Sequence, residues 1–490
     1  MKAANKFRCP EYDHERGVTM VLVALAMVAI IAMAAMSIDL VTLYLAREEA
    51  QRTADAAALA AARIISVSGI TGTANPGTDT TDWRAICGAA GGWATQAAQA
   101  IAAQNTIGGQ LVPEVKVTYS DGSTFGASDC SVLTDAFAVN PMVTVQITPS
   151  ITIPSFFSRI WGSTGNQISA TATAEAFNPS QSSTHGIVTG SVTPVQPRCV
   201  KPWMVPNLEP GHCTVRNGQS CSPFVSLTDG QIKNPGISPG GVGVNGVVGE
   251  RFILFADCGL GAPCVPVDTT PLANVVPSPN LYNGNPPPGL PNLEYLPGAA
   301  PATSVAVPSC ASASIYQQAV AGCDQTTVYQ CGEQISGGGN PNTIDLRENP
   351  GGAGGDTATG LACLLTPKST SMPLSGQDLL KTDSTPNPYP FVAIAGDANP
   401  LSISNSPITA SNSIMSLPIY DASTTINQTG TTNVTIVGFL QVFVRDVNSD
   451  GSVQVTVLNV AGCGNVATNP PVFGSSPVPV RLITPPPPPQ

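Results

Sequence analysis

The chain has 490 residues, enough for two or three ordinary domains, with 20 basic and 31 acidic side chains and a net charge of −11. Charged residues make up only 10% of it, against ~25% in a typical soluble domain, while Gly (47) and Pro (46) together reach ~19%, against a usual ~12%. Phosphate backbones are held by clustered Lys and Arg, and no such cluster occurs, which argues against nucleic-acid binding; the profile fits a secreted, loop-rich, β-leaning protein better than a cytosolic enzyme.

The first element in the chain is apolar. Gly17 to Ile38 contains no charged residue. Its 22 residues make ~33 Å of helix, close to the ~30 Å hydrocarbon thickness of a bilayer. A transmembrane helix is therefore expected from Val18 to Ile38. Lys2, Lys6, Arg8 and Arg16 precede it, so the positive-inside rule puts residues 1–16 in the cytoplasm and the bulk of the chain beyond the membrane. The alternative is a cleaved secretory signal, with Ala32-Met33-Ala34 as the cleavage site. The length of the apolar run, and a helical pattern that continues through that site, favour an uncleaved anchor. Asp39 ends the run. Its place at the margin suits a water-facing interfacial carboxylate better than a buried acid paired with a partner helix.

Nothing breaks the helix after the membrane. Arg47 to Arg63 consists of strong helix formers, chiefly Ala, Glu, Gln and Arg. Leu43, Ala46, Ala50, Ala54, Ala57, Ala61 and Ile64 recur at spacings of three and four, so they form one face of mostly small side chains. Such a face lets another backbone come close. Glu48 and Arg52, four apart, can pair on another face. One rod is expected over 17–66, its lower half in lipid and its upper half packed on protein.

The stretch "SIDLVTLYLAREEAQRTADAAALAAA" resembles the N-terminal signature of the TadE/TadG-like proteins of bacterial tight-adherence (Flp) pilus assembly. The matching residues are Asp39, Tyr44, Gln51 and the run that starts at Asp55. A second stretch, "ITIPSFFSRIWGSTGNQISATATAEAF" from Ile151 to Phe177, resembles the segment that closes the first domain of such proteins. The resemblance covers roughly residues 15–180 and implies a pilin-like architecture. One departure bears on processing. Leu22 stands where a processed pilin has Glu, five residues after Gly17, so an anchored assembly factor fits better than a major pilus subunit.

Residues 67–177 read as a small α+β domain, with a second helix near Trp93–Ala103 and alternating strands at Val115–Tyr119, Val143–Ile147 and Ile168–Phe177. Residues 178–198 read as a linker, and 199–484 as one β-rich, Pro/Gly-rich domain with strands at Arg251–Phe255, Phe391–Ala395 and Val434–Val444. Residues 485–490 read as an exposed polyproline tail. Twelve cysteines follow the apolar run: Cys87, Cys130, Cys199, Cys213, Cys221, Cys258, Cys264, Cys310, Cys323, Cys331, Cys363 and Cys463. No CxxC pair is present and there are only three histidines, so disulfides in an oxidising compartment are expected rather than zinc. Connectivity stays open, with Cys87–Cys130 a plausible pair. The fold class is thus α+β: a long membrane-spanning helix packed on a small antiparallel sheet, followed by a disulfide-bonded β domain.

Three motifs touch on chemistry. "GISPG" (Gly236–Gly240) has the nucleophile-elbow pattern, but Pro239 lacks the backbone N–H that an oxyanion hole needs there. "YDASTT" (Tyr420–Thr425) resembles the start of a metal-dependent adhesion site, yet too little chain follows for that fold. "DVNSDGS" aligns Asp446, Asn448 and Asp450 with the first half of an EF-hand loop, a weak calcium candidate. Val457 stands where the bidentate Glu belongs, and strand-like flanks favour a hairpin turn. No catalytic residue, cofactor site or firm metal site is expected. Two functions remain. One is a non-catalytic component of tight-adherence pilus assembly, anchored in the bacterial inner membrane, with pilus proteins or copies of itself as partners. The other is a membrane-anchored extracytoplasmic adhesive or ligand-binding protein.

Overall fold

A computed structural model describes residues 15–69, 84–88, 91–112, 114–121, 125–129, 133, 137, 141–157, 159, 162, 165–176, 178–180, 195–212, 221–235, 246–256, 290–299, 314–323, 329–332, 341–369, 374–381, 391–424, 426, 430–463, 472–474 and 476–484. A single helix, α1, runs over Glu15–Val67, so the rod expected over 17–66 forms without a break. Its 53 residues span ~80 Å at 1.5 Å per residue. The apolar half is bare, with Val18, Met20, Val21, Leu22, Leu25, Val28, Ile30, Ile31 and Met36 all exposed. Among the described residues α1 is the one helix long and apolar enough to cross a membrane. Cover begins sparsely at Ala35 and Asp39 and becomes regular from Ala46 onward. The helix ends at Val67, and Gly69 follows in the left-handed region at φ +82°. A side chain there would also meet Val248 Cγ1 at 2.8 Å, so glycine is required twice over.

The chain forms two compact units, and the division passes through α1 between Ala54 and Asp55. The first contains Met1–Ala54, Ala102–Lys116 and Gln146–Thr171. Within it, Thr106–Ile107 and Gln110–Leu111 make a tight hairpin, with Thr106 opposite Leu111 and Ile107 opposite Gln110. Gly108 and Gly109 turn it at φ +57° and +80°, as a two-residue hairpin loop demands.

The second unit contains Asp55–Ile101, Val117–Val145 and Ala172–Gln490. A helix occupies Trp93–Ala103, as its sequence pattern predicts. The strands Val115–Ser120, Met142–Ile153 and Asn166–Ala176 form a four-stranded sheet with Val480–Ile483, which lies outermost beside Asn166–Ala176. Val480–Ile483 pairs antiparallel there, with Val480 opposite Ala176 and Ile483 opposite Thr173. Arg481 adds an ion pair to buried Glu175.

The largest sheet has seven strands, in the order Leu296–Pro297, Trp203–Pro206, Ile414–Tyr420, Ile436–Val447, Val453–Gly462, Arg251–Phe255 and Asn292–Glu294. The central strands Ile436–Val447 and Val453–Gly462 are buried at nearly every position rather than at alternate ones. Both faces of the sheet are therefore covered, which is why "IVGFLQVFV" reads as a continuous apolar run. Gln441 interrupts that run and Asn459 interrupts the neighbouring strand; both sit fully buried, but they satisfy one another. Asn459 Nδ2 donates to Gln441 Oε1 at 2.8 Å and to the Ser66 carbonyl at 2.6 Å, and Gln441 Nε2 donates to Ser476 Oγ at 2.8 Å. The Phe391 N–H donates to the Ser68 carbonyl at 3.2 Å. The Ser66 carbonyl in the last turn of α1, and the Ser68 carbonyl just beyond the helix, are thereby taken up by the β body of the same unit.

Cys199–Cys323 and Cys331–Cys463 are disulfides, and Cys87, Cys221 and Cys363 are disulfide-bonded as well. Cys130, Cys213, Cys258, Cys264 and Cys310 lie outside the described residues, and with Cys130 the expected Cys87–Cys130 pairing. Cys463 directly follows the central strand Val453–Gly462, and its bond to Cys331 closes a separation of 132 residues. Replacing both Cys331 and Cys463 by Ala should lower the stability of the β body by ~2–5 kcal/mol. Denaturant unfolding followed by near-ultraviolet circular dichroism checks this, and an unchanged midpoint would contradict it.

Candidate functional site

The sequence places an acid at the end of an uncharged helical run, where burying a charge without partners is costly. The structure supplies partners from within the chain. Asp39 is only 6% exposed. Its Oδ1 accepts from the Phe156 N–H at 2.9 Å and the Phe157 N–H at 3.3 Å, and its Oδ2 accepts from the Phe157 N–H at 3.2 Å. Asp39 is therefore buried rather than water-facing, and its carboxylate binds backbone of its own chain. It clamps the turn that ends the strand Met142–Ile153, through the backbone N–H groups of the two phenylalanines.

Three further side chains repeat the arrangement within the same unit. Glu49 Oε2 accepts from the Gly108 N–H of the hairpin at 2.7 Å. Gln51 Nε2 donates to the Thr171 carbonyl at 3.2 Å, and Gln110 Nε2 donates to the Thr152 carbonyl at 3.1 Å. Asp39 and Glu49 are ten residues apart, ~15 Å along the axis, so the tethers act at two levels of the rod. Ala46 lies between them. The Cβ that Gly108 lacks would stand 2.4 Å from Ile153 Cδ1 and 3.8 Å from the Ala46 methyl, so glycine at the hairpin tip permits the close approach. In the sequence Glu49 is one of two adjacent acids. It sits in a charged stretch beside Glu48, and nothing in its spacing marks it as the one that binds a loop.

The remaining sequence-picked residues separate by environment. Ala46, Ala50, Ala54, Ala57 and Ala61 are buried within this chain, as are Ala58, Ala62, Ile64 and Ile65, while Leu43 is half-buried. The small-residue face is thus largely covered by the chain itself. Tyr44 is 64% exposed and Asp55 is half-buried. Glu48 and Arg52 pair at 3.3 Å on the exposed side, as their four-residue spacing predicts.

The loop candidates resolve into turns. Asp421 accepts from the Ser423 N–H at 3.0 Å and from Ser423 Oγ at 2.8 Å, closing a turn after the strand Ile414–Tyr420. Asn448 to Ser452 connects the two central strands as a hairpin, with Gly451 at φ +87°. Asp450 Oδ1 accepts from Ser452 N and Oγ, and Asp446 Oδ1 accepts from the Val447 N–H. "GISPG" (Gly236–Gly240) lies outside the described residues.

The second unit holds a buried acid cluster with no counterpart among the sequence motifs. Glu209 and Glu250 are fully buried and hydrogen-bonded to each other. Glu209 faces His212 Nδ1 at 2.6 Å and accepts from Asn234 Nδ2 at 2.6 Å, while Glu250 accepts from the Gly211 N–H. Burial, and then the neighbouring Glu209 charge, push the Glu250 carboxyl well above the ordinary range. The hydrogen bond to Glu209 raises the His212 pKa. Burial beside a second acid thus favours the protonated form of Glu250, and the contact with Glu209 favours the protonated form of His212. Lys201, also buried, donates from Nζ to the Gly322 carbonyl at 2.6 Å, and desolvation pulls its pKa down to about 7.

Bare over its first half and tethered over its second, α1 defines the class: one membrane-length helix continuing into a mixed α+β, disulfide-bonded body. Residues 17–63 match the family model Tad, described as Flp pilus-assembly TadE/G-like. The match covers the segment that carries Asp39, Tyr44, Gln51 and Asp55. No curated protein and no solved structure matches the chain.

Two outcomes follow from this geometry. Asp39→Ala should raise the hydrogen-exchange rates of the Phe156 and Phe157 amides by ~10–100-fold, the loss of ~1.5–3 kcal/mol expected when charged hydrogen bonds are removed. Mass spectrometry of exchange in the full chain reads this directly. Glu250 has a pKa raised by folding, so the folded state binds the extra proton and stability falls as pH rises above ~4.5, the unfolded value. Glu250→Gln keeps the donor to Glu209 and the acceptor for Gly211. It should flatten that fall, leaving the shallower loss due to His212, in unfolding curves taken between pH 4.5 and 9.

Proposed function

We propose that this protein is a non-catalytic component of tight-adherence (Flp) pilus assembly, held in the bacterial inner membrane by α1. Its N-terminus lies in the cytoplasm and its disulfide-bonded body lies outside. The observation that carries the reading is the family match on residues 17–63. The bare apolar half of α1 and the disulfides support a membrane anchor with its bulk in an oxidising compartment. A pilin-like role for the rod, in which the helix that anchors also organises the first domain, is supported by the tethers from Asp39, Glu49 and Gln51.

The burial pattern supports one choice of partner-binding face. The alanine face is occupied by the protein's own chain. Of the motif residues, Asp39 and Gln51 bond to that chain, whereas Tyr44 points outward from the helix. Pilus-assembly partners, or further copies of this chain, then bind through Tyr44 and the exposed face around it rather than through the alanine stripe. The assembly role is carried by surface contacts, with no residue doing chemistry.

Deleting the gene should abolish piliation, and the wild-type copy should restore it; normal pili in the deletion strain would refute the assembly role. A photo-crosslinking side chain at position 44 should capture a pilus-assembly protein or a second copy of this chain, and Tyr44→Ala should weaken that association without shifting thermal unfolding. Ala57→Leu, by contrast, should destabilise the protein itself by ~1–3 kcal/mol or more through overpacking, seen as a lower unfolding temperature.

A further inference from the structure

We infer that the Phe156–Phe157 turn is a second membrane contact, a foot whose two rings enter the lipid interface beside α1. The inference rests on the reading of α1 as a membrane span. The uncharged run of α1 stops at Ile38, so Asp39 marks the outer margin of the hydrocarbon. Both Phe156 and Phe157 donate their backbone N–H groups to the Asp39 carboxylate, none of these contacts longer than 3.3 Å. The height of the turn is therefore set by the same residue that ends the span. The headgroup zone extends about 6 Å beyond the hydrocarbon on each side, enough to contain a turn held by one hydrogen bond from its edge.

The side chains suit that place. Phe156 is 65% exposed and Phe157 36%, while Ile151, Ile153 and Ser155 immediately before them are buried. The rings are thus turned out of the protein core at the one level where an exposed aromatic ring is stabilised by lipid. On α1 itself, Leu40 and Val41 are exposed just past Asp39, so the apolar surface of the span continues upward to the level of the turn. Arg159 is exposed two residues after Phe157, a cation suited to anionic headgroups. The clamp has a purpose in this arrangement. Asp39 binds backbone, so it positions the turn while leaving both rings free to face lipid, and its own charge is kept out of the bilayer.

Site-directed spin labelling of the full chain tests the inference. The Cys9→Ser protein, with its disulfides left oxidised, is given a nitroxide at Phe156→Cys, with Val28→Cys as the mid-span reference and Arg52→Cys as the water reference. It is reconstituted in phosphatidylethanolamine–phosphatidylglycerol vesicles, and collision with oxygen and with a neutral nickel chelate is measured. The tether survives the substitution because it uses the backbone N–H. The label at 156 should show an oxygen-to-nickel ratio several-fold above that at 52 and below that at 28. A ratio equal to that at 52 overturns the foot while leaving the span intact. Low collision with both reagents, the mark of a protein partner or a second copy on the turn, also overturns it. Free access of nickel to the label at 28 removes the span reading, and the foot with it.

Discussion

A carboxylate buried at the end of an apolar helix has to be given hydrogen-bond donors, and that requirement organises the first unit. Asp39 meets it with the Phe156 and Phe157 N–H groups. Once that turn is fixed, the strand leading into it is fixed to the helix, and Gln110 can reach the Thr152 carbonyl on that strand. Glu49 and Gln51 then hold the hairpin and the neighbouring strand to the next turns of the rod. Between these polar ties only small side chains fit, which is why Ala46 and Ala50 recur and Gly108 has no Cβ to spare.

In the second unit the same physics acts on a larger body. Here the end of α1 is buried from Ile64 to Val67, and its Ser66 carbonyl accepts from the Asn459 side chain. Gln441, Asn459 and Ser476 form a connected polar chain within the buried centre of the sheet. Glu209 and Glu250 share a dry site in which Glu209 faces His212 and Glu250 accepts from the Gly211 N–H. Buried polar groups of this kind are tolerated only when every partner is in place, so they select one arrangement of the chain over others of similar apolar burial.

Tyr44 and Asp39 show how one motif divides between two tasks. Residues five apart on a helix point to different sides, and here one side bonds to the chain's own turn while the other stays exposed. The motif thus mixes a residue that bonds to its own chain with a residue left exposed. Only burial separates them.

The uncharged run, the helical spacing of Arg47 to Arg63 and the Asn-Ser-Asp-Gly turn are local patterns, and the sequence alone determined α1, the helix Trp93–Ala103, the central hairpin and the strand Arg251–Phe255, but not Trp203–Pro206, Ile414–Tyr420 or Asn292–Glu294. These elements depend on residues within a few positions of one another, so periodicity and turn chemistry suffice. The candidate site was legible only in part. Asp39 and the Phe156–Phe157 stretch were each visible, but the bond between them spans 117 residues and no spacing rule connects them. The tertiary structure alone decided that Glu49 rather than Glu48 binds the hairpin, that the alanine face is covered by the same chain, that Val480–Ile483 returns to pair with Asn166–Ala176, and that Glu209 meets Glu250. In each case the deciding quantity is the removal of a side chain or a strand edge from water by a segment distant in sequence, and such burial exists only once the chain has folded.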